Sequence, residues 1–78
     1  MKPIFLQIKT EPGKAYEVAA DLADLEIASE IYSTSGQYDL LVKIYVEDGQ
    51  DVGHTVADLA QRLKHIRDTY TIITHRAF

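Results

Sequence analysis

Ser35-Gly36-Gln37-Tyr38-Asp39-Leu40-Leu41-Val42-Lys43-Ile44-Tyr45-Val46 is the stretch that decides the fold. From Asp39 onward, Leu40, Val42, Ile44 and Val46 alternate with Leu41, Lys43 and Tyr45, which is the two-residue period of a β-strand. Apolar residues occur in both sets, so this strand is expected at the centre of a sheet. The small, flexible residues Ser35 to Tyr38 predict a tight connection back to a strand over Ser29 to Thr34, which contains Ile31 and Tyr32.

Outward from this hairpin the periods change in a regular order. Pro3 to Lys9 sets Ile4, Leu6 and Ile8 against Phe5, Gln7 and Lys9, a strand with one buried face, and Thr10-Glu11-Pro12-Gly13 breaks it. From Lys14 to Asp24 the apolar positions Ala15, Val18, Ala19, Leu22 and Leu25 recur at helical spacing, while Glu17, Asp21 and Asp24 face water. Glu47-Asp48-Gly49 ends the central strand. Val52, Val56, Leu59, Ala60 and Leu63 then form the stripe of a second helix, from Asp51 to Lys64. Asp51 at its start and Lys64-His65 at its end suit the helix dipole. Ile66 to Thr74 is rich in β-branched residues and alternates Ile66, Tyr70 and Ile72 against Thr69, Thr71 and Ile73.

The order is therefore β-α-β-β-α-β in a single domain spanning residues 1–78. Right-handed crossovers put both helices on one face of a four-stranded antiparallel sheet, the ferredoxin-like α+β arrangement. The opposite face is expected to carry Phe5, Leu41, Tyr45, Thr69, Thr71 and Ile73. Such a face is too apolar for water and predicts a dimer built through the sheet, although scattered surface hydrophobes leave the same trace in a sequence.

Size points the same way. A chain of 78 residues buries only about 60–65% of its unfolded surface. With no cysteine and no zinc-ligand spacing, self-association is the natural supplement. The formal net charge of -4, from 12 acidic residues against 8 Lys and Arg, lacks the cationic track that phosphate backbones require, so no direct nucleic-acid partner is expected. The Tyr and Phe residues are then core or interface aromatics. No apolar run approaches the ~20 residues of a membrane span and no signal-peptide pattern is present, so a cytoplasmic protein without a membrane partner is expected.

The sequence nominates no catalytic residue, no cofactor and no metal. It has no Cys nucleophile, no Gly-rich phosphate loop and no base beside Ser29, Ser33 or Ser35. His54 and Asp58 lie four apart, but two ligands do not make a metal site. The chemistry concentrates in Ser35-Gly36-Gln37-Tyr38-Asp39: free backbone N–H groups, a glycine that permits close approach, an aromatic wall, and a carboxylate suited to an ammonium group. The same residues also make an ordinary hairpin, with Gly36 at positive φ, Asp39 bonding its own turn and Tyr38 covering the end.

Three segments carry a resemblance. They are Lys9-Thr10-Glu11-Pro12-Gly13-Lys14, the run from Ile31 through Gly36-Gln37-Tyr38-Asp39 to Lys43, and Thr69-Tyr70-Thr71. At this spacing the chain resembles, essentially end to end, the effector-binding (RAM) domain of the leucine-responsive/asparagine-regulator (Lrp/AsnC) family. The resemblance implies homodimers joined through sheet faces, assembled into an octamer or another ring of dimers, with a small-molecule effector such as an amino acid bound between dimers. It places the effector turn on Gly36, Gln37, Tyr38 and Asp39, with Ser35 as the small hydroxyl residue before it and Thr69 and Thr71 as nearby polar positions. Full regulators of this type carry a helix-turn-helix ahead of the domain, whereas here the first strand begins at residue 3. The expectation is a stand-alone version that acts through partners such as full-length Lrp/AsnC relatives. Where the family often has Pro after the first helix and Pro-Gly before the last strand, this chain has Glu26-Ile27 and Lys64-His65. A small enzyme of the dimeric ferredoxin-like-barrel type and a purely structural assembly subunit remain the alternatives.

Overall fold

The computed structural model describes all 78 residues. Its elements are β1 (Lys2–Thr10), α1 (Ala15–Asp24), β2 (Ala28–Ser33), β3 (Leu40–Val46), α2 (Val52–Arg62) and β4 (Ile66–Ile73). One antiparallel sheet runs in the order β2-β3-β1-β4. The βαββαβ ferredoxin-like arrangement read from the sequence is thus the fold, with β3 an inner strand. No helix is long and apolar enough to cross a membrane.

Strand period and helix period meet in one core. Ile4, Leu6 and Ile8 of β1 and Leu40, Val42, Ile44 and Val46 of β3 are buried, and they form a single cluster with Val18 and Leu22 of α1, Val56 and Leu59 of α2, and Leu63. Both helices therefore cover the same sheet face. The Asp51 carboxylate starts α2 by accepting from the N–H groups of Gly53 and His54 at 3.0 and 3.4 Å, which satisfies donors that have no partner inside the helix. Helix α1 stops at Leu25, after which Glu26 adopts a left-handed φ of 58°.

Helix α2 ends earlier than its spacing predicts. Its last-turn cation is Arg62, which pairs with Asp58 at 3.2 Å. Lys64 and His65 lie beyond the helix, so they do not serve its dipole as expected. The His65 imidazole, on a backbone with φ 65°, instead sits between Glu11 (Nδ1 to Oε1, 3.6 Å) and Glu17 (Nε2 to Oε2, 3.3 Å).

The open sheet face requires a correction. Residues directly paired across antiparallel strands share a face. Thr69, Thr71 and Ile73 pair with Ile8, Leu6 and Ile4, so they lie on the helix side. Their places on the open face are taken by Tyr70 and Ile72, opposite Gln7 and Phe5. The cause is a register shift: Thr10 pairs with Ile66 while Lys9 pairs with Asp68, leaving Arg67 as an extra residue. A bulge of this kind reverses which residues point inward from that point on. Phe5, Leu41 and Tyr45 are on the open face as expected, with Tyr70 55% and Ile72 39% exposed there.

Candidate functional site

The segment from Thr34 to Asp39 joins β2 to β3 as a wider loop than the tight turn expected from its composition. It is closed on itself by two bonds: the Thr34 N–H donates to the Asp39 carbonyl at 2.9 Å, and the Thr34 hydroxyl donates to the Tyr38 carbonyl at 3.0 Å. Its far end is tied to β1. The Asp39 N–H donates to the Ile8 carbonyl at 2.9 Å, and the Lys9 ammonium donates to the Gln37 carbonyl at 3.2 Å.

Asp39 is the main anchor. Its Oδ2 accepts from the Thr10 N–H at 2.8 Å and from the Thr10 hydroxyl at 3.2 Å. The Thr10 N–H above all, then the Thr10 hydroxyl and the Lys9 charge, hold the carboxyl below the usual range despite some desolvation. The carboxylate thus bonds neither its own turn nor open solvent alone; one oxygen caps the neighbouring strand.

What the anchored loop presents is backbone. Ser35, Gly36, Gln37 and Tyr38 donate no hydrogen bond within the chain, and Ser35, Gly36 and Gln37 are exposed. Gly36 has φ 107°, a conformation that L side chains rarely adopt, and no atom beyond its two chain neighbours lies within 4 Å of the position a Cβ would take. Unpaired N–H groups in a row complement an anionic oxygen such as a carboxylate. The Tyr38 ring closes one side, 6.1 Å from the Tyr70 ring at an interplanar angle of 37°.

The structure therefore brings Ser35, Gly36, Gln37, Tyr38 and Asp39 together and leaves Thr69 and Thr71 apart from them. Thr69 pairs with Ile8, whose carbonyl holds Asp39 from the other side. Thr69 and the loop are thus separated by two strand spacings, roughly 9–10 Å. Three neighbours were missed from sequence: Thr10, Lys9 and Tyr70. The alternation of β1 signals that Thr10 points with Ile8 toward the core, but its partner is set by pairing. No concavity of the single chain is lined by residues 35–39. No group of three or more His, Asp or Glu side chains converges as a metal site, and Asp58, paired in sequence with His54, is engaged by Arg62.

A family model described as the Lrp/AsnC ligand binding domain matches residues 4–78. The chain belongs to this family. Among curated Lrp/AsnC relatives, the HTH-type transcriptional regulator FL11 of Pyrococcus abyssi is 33% identical over 75 residues, covering 92% of this chain and 49% of FL11. The FL11 protein of Pyrococcus horikoshii gives the same figures of 33%, 92% and 49%. The chain spans about half the length of these curated relatives. Among solved structures, FFRP-DM1 superposes with a TM-score of 0.85 at 28% identity over 96% of this chain and 100% of that one. The E. coli AsnC structure shares the fold, with a TM-score of 0.84 at 22% identity over 96% of this chain and 51% of that one. An Lrp/AsnC ligand-binding domain with relatives named as transcriptional regulators supports a regulatory, effector-binding role.

Proposed function

We propose that the chain binds an amino acid or a similar small carboxylate metabolite between dimers formed through the open sheet face, and that it acts through partner regulators of the same family. The observation that carries this is the run of unpaired N–H groups from Ser35 to Tyr38 on a loop fixed at both ends. The loop is preorganised, so little ordering entropy opposes ligand capture. Because one chain forms no cavity there, a second subunit is needed to enclose the ligand. Assembly into an octamer or another closed ring supplies that surface. In this reading the free Asp39 Oδ1 receives the ligand ammonium, and Thr69 and Thr71 contribute from the edge strand of a neighbouring subunit.

Isothermal titration with each common amino acid, alongside light scattering, tests the reading. Heat with at least one, lost in Gly36→Val, is expected. Absence of heat with every one removes the amino-acid effector and leaves an assembly subunit.

A further inference from the structure

The largest concavity of the chain lies at the end of β1 away from the Ser35–Asp39 loop. It holds about 520 Å³ between the start of β1, Lys43 of β3 and the segment after β4, a volume suited to a small organic ligand. Its walls are tied together. Phe5 and Lys43 are register partners, and the Thr74 hydroxyl donates to the Pro3 carbonyl, which holds the segment after β4 against β1. The chain carries 12 Asp and Glu against 8 Lys and Arg, yet no Asp or Glu lines this cleft, whereas Lys2, Lys43, His75 and Arg76 do. Lys43 is neutralised by Glu30 at 3.3 Å. Lys2 and Arg76 pair with no carboxylate, and the Arg76 guanidinium lies 5.4 Å from the centre of the Phe78 ring.

Cations gathered in a concave site without counter-charges repel one another, and a bound anion relieves that cost. A guanidinium and an ammonium together offer the forked and single donors that oxyanions accept, while Pro3 and Phe5 give an apolar wall for the rest of a ligand. We propose that Lys2, Phe5, His75 and Arg76 form a second ligand site, for a small organic oxyanion: a phosphate or carboxylate head on an apolar or aromatic body. The site is separate from the effector loop. Asp39 is held at Ile8 and the cleft begins at Lys2, toward opposite ends of β1 and roughly 20 Å apart along the strand. Phe5 and Lys43 also belong to the open face, so Lys2 and Arg76, which lie outside that face, carry the test.

Isothermal titration of the full chain at low ionic strength uses phenyl phosphate, benzoate, inorganic phosphate and neutral benzyl alcohol as probes. At least one of the two aryl anions is expected to bind at about 1 mM or tighter, and more tightly than inorganic phosphate or benzyl alcohol. Whichever aryl anion binds better names the head group. Arg76→Gln is expected to weaken that probe at least about fivefold, and Lys2→Gln/Arg76→Gln at least about twentyfold. Gly36→Val, on the effector loop, should stay within about twofold of the parent. Circular dichroism and sedimentation matched to the parent show that fold and assembly are retained; if the double variant fails either, Arg76→Gln carries the criterion alone. Absence of heat with both aryl anions, inorganic phosphate or benzyl alcohol binding as tightly as they do, or parent affinity in the folded variants overturns the proposal. Loss of binding in Gly36→Val does so too, because it assigns the anion to the effector loop.

Discussion

The Asp39 carboxylate accepts the Thr10 N–H at 2.8 Å, so the residue that closes the β2–β3 loop also caps the end of β1. The folded-state pKa of Asp39 is lowered, so its contribution to stability is complete above the ordinary carboxylate value of about 3.9 and is lost as pH falls through the lower folded-state value. Asp39→Asn is therefore expected to lower Tm at neutral pH and to converge on the parent toward pH 2. Thermal melts from pH 7 to 2 check this, and two parallel curves would count against it.

Tyr38 and Tyr70 meet across the open face at 6.1 Å between ring centres, within the range of favourable aromatic pairs. A double-mutant cycle with Tyr38→Leu and Tyr70→Leu should show a coupling of about 0.5 kcal/mol, measured by urea unfolding. Zero coupling would separate the loop from β4.

Glu26 ends α1 in the left-handed region at φ 58°, a position where glycine carries no Cβ penalty. Glu26→Gly is expected to gain about 1 kcal/mol, a Tm rise of roughly 5 °C for a domain of this size. Glu26→Ala, which keeps the Cβ, should show no such gain in the same calorimetric scan.

Leu22 is fully buried between α1 and the sheet. Leu22→Ala should cost about 2–5 kcal/mol, through lost transfer energy and the cavity left behind. The urea midpoint should fall with an unchanged slope.

Glu26 and His65, in the loops before β2 and β4, both take positive φ, a conformation closed to proline. Neither local sequence announced this, because a left-handed non-glycine residue is imposed by the elements it joins.

The element order, the inner position of β3 and the composition of the core were legible in the sequence, because periods of two and of 3.6 residues are local properties of the chain. The loop from Ser35 to Asp39 was legible for the same reason, since Gly36 and its polar neighbours mark a turn in any context. Tertiary structure alone decided which face of β4 looks outward and what Asp39 holds. The extra residue at Arg67 exists only relative to Lys9 and Thr10 on β1, and it exchanges Thr69 and Thr71 for Tyr70 on the open face. The Asp39 bond to Thr10 likewise joins residues 29 positions apart. Strand register and long-range capping arise when distant segments pair, so no window of the sequence contains them.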